Sequence, residues 1–424
     1  MRASSAKQGA GQSQDTAPNA EPAGNILRQW QFRRFLVAVL SWGSGRQLVL
    51  LSNPFLVYDL TNDPLWIAYL GVAAAVPQFV MAAVGGMLAD RFPRKTLLVI
   101  GSSTAGLLML VLAALSWLDA LEPWHIVVAA FGFGAALGND WTNRLAFIPS
   151  IADRSQWTRA MSFDQSAFQT ARVLAPLAGG ALLAQFGGRA TYTAGLILFT
   201  MAATLLYSTR PRPDDHSERH PPLWEGIREV GQLVKADTVL RAMLVFTAVN
   251  ALLVGGFVWL APAFAKDVLG GGAGEQGAIL TATGLGAVAG ATWVGSKAGI
   301  RRAGLWLLVS NALMVAMLGG FSLSAFLFLS VAFAAAGGFF NAMHVALGAV
   351  TIQTRVTDIM RGRVFGVYEM AWGFFPTGGI VFGGLAAAFG PVGALLAGVA
   401  LVAAVTIGIA ALSPSTRRLR FSRG

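Results

Sequence analysis

Residues 85–98 read Gly-Gly-Met-Leu-Ala-Asp-Arg-Phe-Pro-Arg-Lys-Thr-Leu-Leu, a short basic loop between two long apolar runs. Its small, acidic and basic residues fall in a fixed register: Gly86, Ala89, Asp90, Arg91, Arg94 and Lys95. Apolar runs of about 18 residues or more, long enough to cross a bilayer as helices, recur along the chain. A basic loop between two such runs is typical of a cytoplasmic turn in a membrane protein.

The composition agrees with this interpretation. The chain is 55% hydrophobic and only 12% charged, whereas soluble domains have about 25% charged residues. We therefore predict an all-α polytopic membrane protein. Cysteine is absent and the four histidines are scattered, so we expect no disulfide, no metal site and no thiolate nucleophile. Neither a catalytic constellation nor a nucleotide-binding motif is present, so we expect no enzyme activity and no cofactor.

Hydropathy predicts twelve membrane spans, numbered here in chain order. They cover residues 33–57, 66–89, 96–117, 124–148, 161–184, 190–209, 240–265, 276–296, 303–322, 325–347, 364–388 and 391–412. If the N-terminus is inside, 26 of the 31 Lys and Arg lie in cytoplasmic segments. This asymmetry predicts that both termini are cytoplasmic. It also explains the net charge of +11 by orientation and lipid contact, so we expect the bilayer, and no nucleic acid, as a partner.

Changes in composition divide the chain into five parts. These are a disordered cytoplasmic tail at 1–29, a six-span bundle at 30–209, a polar linker at 210–238, a second six-span bundle at 239–412 and a basic tail at 413–424. The first tail lacks the apolar segment of a signal peptide. The two bundles resemble each other in sequence, because the Gly/Ala-rich segments 176–187 and 379–390 align without gaps at an offset of 203 residues.

The loop at 85–98 resembles the loop between the second and third helices of transporters of the major facilitator superfamily. Pro93 stands where that pattern has glycine, and a turn tolerates proline there. Two parallel six-span repeats are also the architecture of that superfamily. The resemblance implies a major facilitator fold of twelve helices in two six-helix bundles. It further implies a gating role for Gly86, Asp90, Arg91, Arg94 and Lys95, with Arg363 at the start of span 11 as the candidate partner of Asp90. The alternative is a turn whose bases only set topology.

A second motif lies in span 5. Pro176, Gly179 and Gly180 resemble part of the G-P-x-x-G-G motif of exporters of this superfamily, although Ala175 replaces its first glycine. The motif is associated with antiporters, and it implies export. Ordinary small-residue helix packing is the alternative. The whole pattern resembles the branch that holds enterobactin-type siderophore exporters and macrolide efflux proteins.

Ionisable residues inside spans are costly and therefore indicate paired or functional groups. Asp140 and Arg144 are four residues apart, so they share one helix face. They form either a self-neutralising pair or part of a switchable ion-pair network. Arg46, followed by Gln47, faces either a cavity or a structural partner. Glu369 lies inside span 11 with no base within four residues, and is either a proton carrier or the partner of an Arg near the gate.

Span 5 places several polar residues within about 140° of arc. We predict that a substrate cavity is lined by Arg46, Gln47, Phe168, Gln169, Arg172 and Trp372. We predict that Glu369, Asp164 and Asp140 carry protons.

We therefore expect a monomeric exporter in a bacterial plasma membrane, moving a small amphipathic drug, siderophore or secondary metabolite by proton antiport with alternating access. The alternatives are an importer or facilitator of a small metabolite and a transport-dead membrane sensor.

Overall fold

The structure is a computed structural model that describes residues 26–138, 140–211, 231–232, 234, 237–297, 302–356, 364, 367–368, 371–417 and 419. Within these ranges it leaves undescribed the side chains of residues 82, 83, 86, 87, 89, 90, 141 and 353. The predicted tail at 1–29 and the predicted linker at 210–238 lie mostly outside the described residues.

The described chain is almost entirely helical. The first half contains α1 (Trp30–Thr61), α2 (Leu65–Arg91), α3 (Arg94–Trp117), α4 (Pro123–Leu137), α5 (Asp140–Ile151) and α6 (Trp157–Ser208). The second half contains α7 (Thr238–Ala263), α8 (Ala273–Ser296), α9 (Ala303–Leu323), α10 (Leu327–Arg355), α11 (Phe374–Leu412) and α12 (Pro414–Arg417). A single π-helical turn, Phe264–Val268, extends α7.

Two glycines in the left-handed region turn long helices back on themselves. Gly187 has φ 69° inside α6, and Gly390 has φ 73° inside α11. A residue without Cβ adopts such φ values at no steric cost. Both glycines fall between predicted spans, so α6 holds spans 5 and 6, and α11 holds span 12 and most of span 11.

Eight described helical segments are long and apolar enough to cross a membrane, and Leu65–Met81 and Pro123–Leu137 are shorter apolar segments. Because α6 and α11 each account for two crossings, the chain is the predicted twelve-helix membrane protein. Span 4, predicted at 124–148, is described as α4, which ends at Leu137, and α5, which is described from Asp140 onward. Gly138 keeps helical backbone dihedrals (φ −62°, ψ −28°), and residue 139 lies outside the described residues.

The bundles meet mainly where α6 packs against α8 and α2 packs against α11. We call the end of the molecule that carries Thr61, Leu118 and Lys266 the latch end, and the opposite end, which carries Ile26, the termini end. Toward the latch end, one apolar cluster contains residues of both bundles, among them Leu70 and Phe382. Toward the termini end, the buried clusters of described residues belong to one bundle each.

Candidate functional site

Three charged side chains meet inside the first bundle. The Nε of Arg144 on α5 lies 3.8 Å from Asp140 Oδ2 on the same helix and 3.6 Å from Asp164 Oδ1 on α6. All three side chains are buried, and Asp164 is completely so. An isolated charge is very costly in such surroundings. The carboxylates and the guanidinium can be buried together because their opposite charges compensate each other. The group of Asp140, Arg144 and Asp164, called the triad here, therefore joins spans 4 and 5.

Aromatic rings cover the guanidinium of the triad. The Cζ of Arg144 lies 4.9 Å from the ring centroid of Phe168 on α6 and 5.6 Å from that of Trp42 on α1. Desolvated cations are attracted to aromatic faces. A small cavity lined by Asp140, Arg144, Trp42 and Leu98, among others, adjoins the triad.

Two more arginines of the first bundle have a different environment. Arg46 and Arg172 are half-buried, and neither has a described carboxylate within 4.0 Å. Arg46 lies 6.0 Å from the centroid of Phe168. The first bundle thus places two half-buried cations without a described ion-pair partner near its interior.

Arg172 lines a cleft at the boundary between the bundles. The cleft is otherwise lined by α7, α8, α9 and α10 of the second bundle. Its wall is mainly apolar, with Phe257, Met314 and Leu318, and it also carries Thr283 and Asn341. Such a cavity, apolar with a few polar groups, is typical of small-molecule sites.

At the latch end, charged and polar groups connect α1 to the π-helical turn after α7. Lys266 Nζ lies 2.7 Å from Asp59 Oδ1 and donates at 3.3 Å to Asn62 Oδ1. Tyr58 donates a short hydrogen bond to Asp267 Oδ2. Because α1 and α7 belong to different bundles, this set of five residues, the latch, connects the bundles at that end.

Glycines allow main-chain contact between the bundles in the same half of the molecule. A Cβ built on Gly277 of α8 would lie 2.7 Å from the carbonyl oxygen of Pro176 and 2.9 Å from the Cα of Gly180. On the other side, a Cβ on Gly71 of α2 would lie 2.7 Å from the amide nitrogen of Ile380. Small residues permit this approach of helices. Gly179 instead faces Leu48 of its own bundle.

The structure places the other predicted site residues as follows. Arg94 donates to the carbonyl of Ala146 at 2.9 Å, Lys95 lies 5.4 Å from the ring of Tyr207, and Arg91 is exposed. Gln47 and Gln169 are half-buried. Trp372 packs against an apolar cluster at the termini end that includes Tyr368. Arg363 and Glu369 lie outside the described residues. For Gly86 and Asp90 the structure describes only the helical backbone.

Sequence reasoning missed three sets of residues. Asn341 and Thr283 are uncharged, so their sequence signal is weaker than that of the ionisable residues inside spans. An amide such as Asn341 within an apolar run would have been the available signal. The residues of the latch lie at span ends, where polar residues are ordinary, so no sequence signal marks them. Trp42 in α1 is separated from Arg144 by about a hundred residues, and only the fold brings them together.

Two six-helix bundles with a cleft at their boundary and charged groups buried in one bundle define a polytopic membrane transporter. Residues 35–377 match the sequence profile of the Major Facilitator Superfamily. The chain belongs to this family, as its loop motif and repeats predicted.

Relatives with curated names are similar to the chain over most of its length. The enterobactin exporter EntS of Shigella boydii serotype 4 (strain Sb227) is 30% identical over 385 residues, covering 88% of this chain and 86% of that protein. EntS of Citrobacter koseri is 28% identical over 354 residues, covering 78% of each. The predicted resemblance to the siderophore-exporter branch is thereby confirmed.

Solved structures support the fold. A bacterial homolog of the human lysosomal transporter Spinster, in an inward-facing and unoccupied conformation, has a TM-score of 0.70 and 14% identity, covering 93% of this chain and 98% of that one. The nucleoside transporter NupG has a TM-score of 0.69 and 13% identity, covering 91% and 100%.

Proposed function

We propose that this protein exports a small amphipathic molecule across the bacterial plasma membrane by proton antiport. The enterobactin exporters to which it is similar support export, and they make a siderophore a candidate substrate. The antiporter-like Pro176, Gly179 and Gly180 support the same direction. The distribution of Lys and Arg assigns the termini end to the cytoplasm and the latch end to the outside.

The observation that carries this proposal is the asymmetry between the two ends. At the latch end, the bundles share an apolar cluster, the latch and two main-chain contacts. At the termini end, the described apolar clusters stay within single bundles. In an alternating-access cycle this is the arrangement expected of a conformation closed to the outside. Substrate would enter the cleft beside Arg172 from the cytoplasm or the inner leaflet.

The triad supports proton coupling. With both carboxylates ionised, the triad itself carries a net charge of −1, which Arg46 partly offsets at Asp140. One bound proton makes it neutral, which is the less costly state for a buried group. Asp140 and Asp164 are therefore the proposed carriers among the described residues, and Glu369 remains a third candidate from the sequence.

The test is uptake into inverted membrane vesicles, in which the cytoplasmic face is outside. With the vesicle interior made acidic, enterobactin or ethidium should accumulate, and dissipation of the pH gradient by nigericin should release it. Vesicles without the protein provide the baseline. Accumulation of either probe only in right-side-out vesicles would indicate an importer. Absence of gradient-dependent movement in both orientations, for a protein that is inserted and folded, would contradict antiport of these probes.

A further inference from the structure

The unusual feature of the cleft is that its cation comes from the opposite bundle. Arg172 lies on α6, whereas the remaining lining residues come from α7, α8, α9 and α10. The guanidinium has no described carboxylate within 4.0 Å, and the described acids inside the first bundle, Asp140 and Asp164, flank Arg144 instead. A cation in apolar surroundings is stabilised chiefly by an anion.

A second, independent observation comes from the facing wall. Asn341 on α10 is more than nine-tenths buried and lines the cleft, and its Oδ1 has no hydrogen-bond partner among the described residues. The buried amide oxygens of Asn250 and Gln276 in the same bundle also have no partner among the described residues, but neither residue lines the cleft. A buried amide oxygen without a partner is costly, and a ligand that supplies a donor removes the cost.

We propose that Arg172 and Asn341 form the polar subsite for an organic anion, with a carboxylate or phenolate oxygen on Arg172 and a neighbouring hydroxyl or N–H of the ligand on Asn341. This inference rests on the proposed function, because it assigns a substrate class to the same transport pathway. The apolar body of the anion lies against Phe257, Met314 and Leu318.

The location gives the anion a second effect. Because Arg172 belongs to one bundle and Asn341 to the other, a ligand held by both bridges the bundles at the cleft. Bidentate contact between Arg and a carboxylate is directional, so a bound anion fixes the distance between α6 and α10. A neutral analogue of the same shape lacks the charge-assisted contact with Arg172 and therefore does not bridge the bundles in this way.

The experiment measures binding, without any gradient, to the full-length protein in lipid nanodiscs. The probes are 3-hydroxy-2-naphthoate, whose hydroxyl lies beside its carboxylate, and its neutral methyl ester, compared by equilibrium dialysis of the radiolabelled compounds. Wild-type protein should bind the anion at least about ten-fold more tightly than the ester, as charge-assisted hydrogen bonds predict. Arg172→Gln should abolish the preference through loss of anion affinity, Arg172→Lys should retain part of it, and Asn341→Leu should weaken binding of the anion because the acceptor for its hydroxyl is lost.

The matched control is Arg189→Gln, which removes another arginine of the same bundle, paired with Asp119 at the surface, and should change neither affinity. Thermal unfolding of each variant identifies loss of folding. The proposal is overturned by equal affinity of wild-type protein for both probes, by absence of saturable naphthoate binding, or by an unchanged preference in Arg172→Gln. If the protein prefers the anion but its transport does not depend on a pH gradient, proton antiport is rejected and the subsite is retained. If transport is driven by the gradient but the protein shows no anion preference, the subsite is rejected and proton antiport is retained.

Discussion

Adding one methyl group at Gly277 should push the protein out of the conformation closed at the latch end. The Cβ of Gly277→Ala would meet the carbonyl oxygen of Pro176 at 2.7 Å and the Cα of Gly180 at 2.9 Å. Both are main-chain atoms of the opposite bundle, so neither moves away by a side-chain rotation. The clash is relieved only when α6 and α8 separate, and therefore its cost falls on the closed state.

The size of the effect follows from the packing. Overpacking a close contact costs about 1–3 kcal/mol, which shifts an equilibrium between two conformations by about 5- to 150-fold. Gly274→Ala is the matched control on the same helix turn, because its Cβ would have only the Ala184 side chain nearby, at 4.0 Å. Both changes replace glycine by alanine near the start of α8, so the gain in helix propensity is similar.

The assay uses the absence of cysteine in the chain. Cysteines introduced at Leu118 and Phe326, which are exposed residues at the latch end of different bundles, accept nitroxide labels for pulsed dipolar distance measurements. In Gly277→Ala the population of longer distances should increase, whereas Gly274→Ala should resemble the parent. Identical distance distributions in the two variants would refute the reasoning, because the main-chain contact would then not hold the bundles together.

Three further results are expected. Lys266→Ala removes a partly exposed ion pair with Asp59, worth about 0.2–1 kcal/mol. The same distance assay should therefore show a smaller shift than in Gly277→Ala, and this shift should diminish in high salt. A shift that is as large in high salt as in low salt would contradict the ion-pair explanation. Arg144→Leu leaves two buried carboxylates without their base and should lower stability by about 3–5 kcal/mol, measured by thermal unfolding in detergent, whereas unchanged stability would mean that the triad does not stabilise the first bundle. Glu369→Gln should preserve substrate binding and exchange in proteoliposomes but abolish transport driven by a pH gradient, and full gradient-driven transport would remove this residue from proton coupling.

The fold was predictable because a helix needs about 20 apolar residues to cross a bilayer. The length and hydropathy of each apolar run therefore identify the membrane spans. The corners at Gly187 and Gly390 lie between the spans predicted from apolar runs, and the two halves show the same arrangement because their sequences repeat.

The site was predictable only in part. The Asp140–Arg144 pair follows from helical spacing, but the approach of Asp164 from α6 depends on how two helices are rotated against each other, which a single sequence does not specify. The same limitation applies to the latch and to the position of Arg172 opposite Asn341. Local sequence marks which residues are costly to bury, whereas tertiary packing decides which of them meet.

The glycine contacts at the latch end also bear on the permeability of the resting membrane. The bundles touch there through the main chain on two opposite sides, at Gly180 with Gly277 and at Gly71 with Ile380. Such close contact narrows the outer end, where a file of water molecules could otherwise conduct protons inward. A bulkier residue at Gly277 or Gly71 should therefore raise the passive proton permeability of vesicles that contain the protein, with no substrate added.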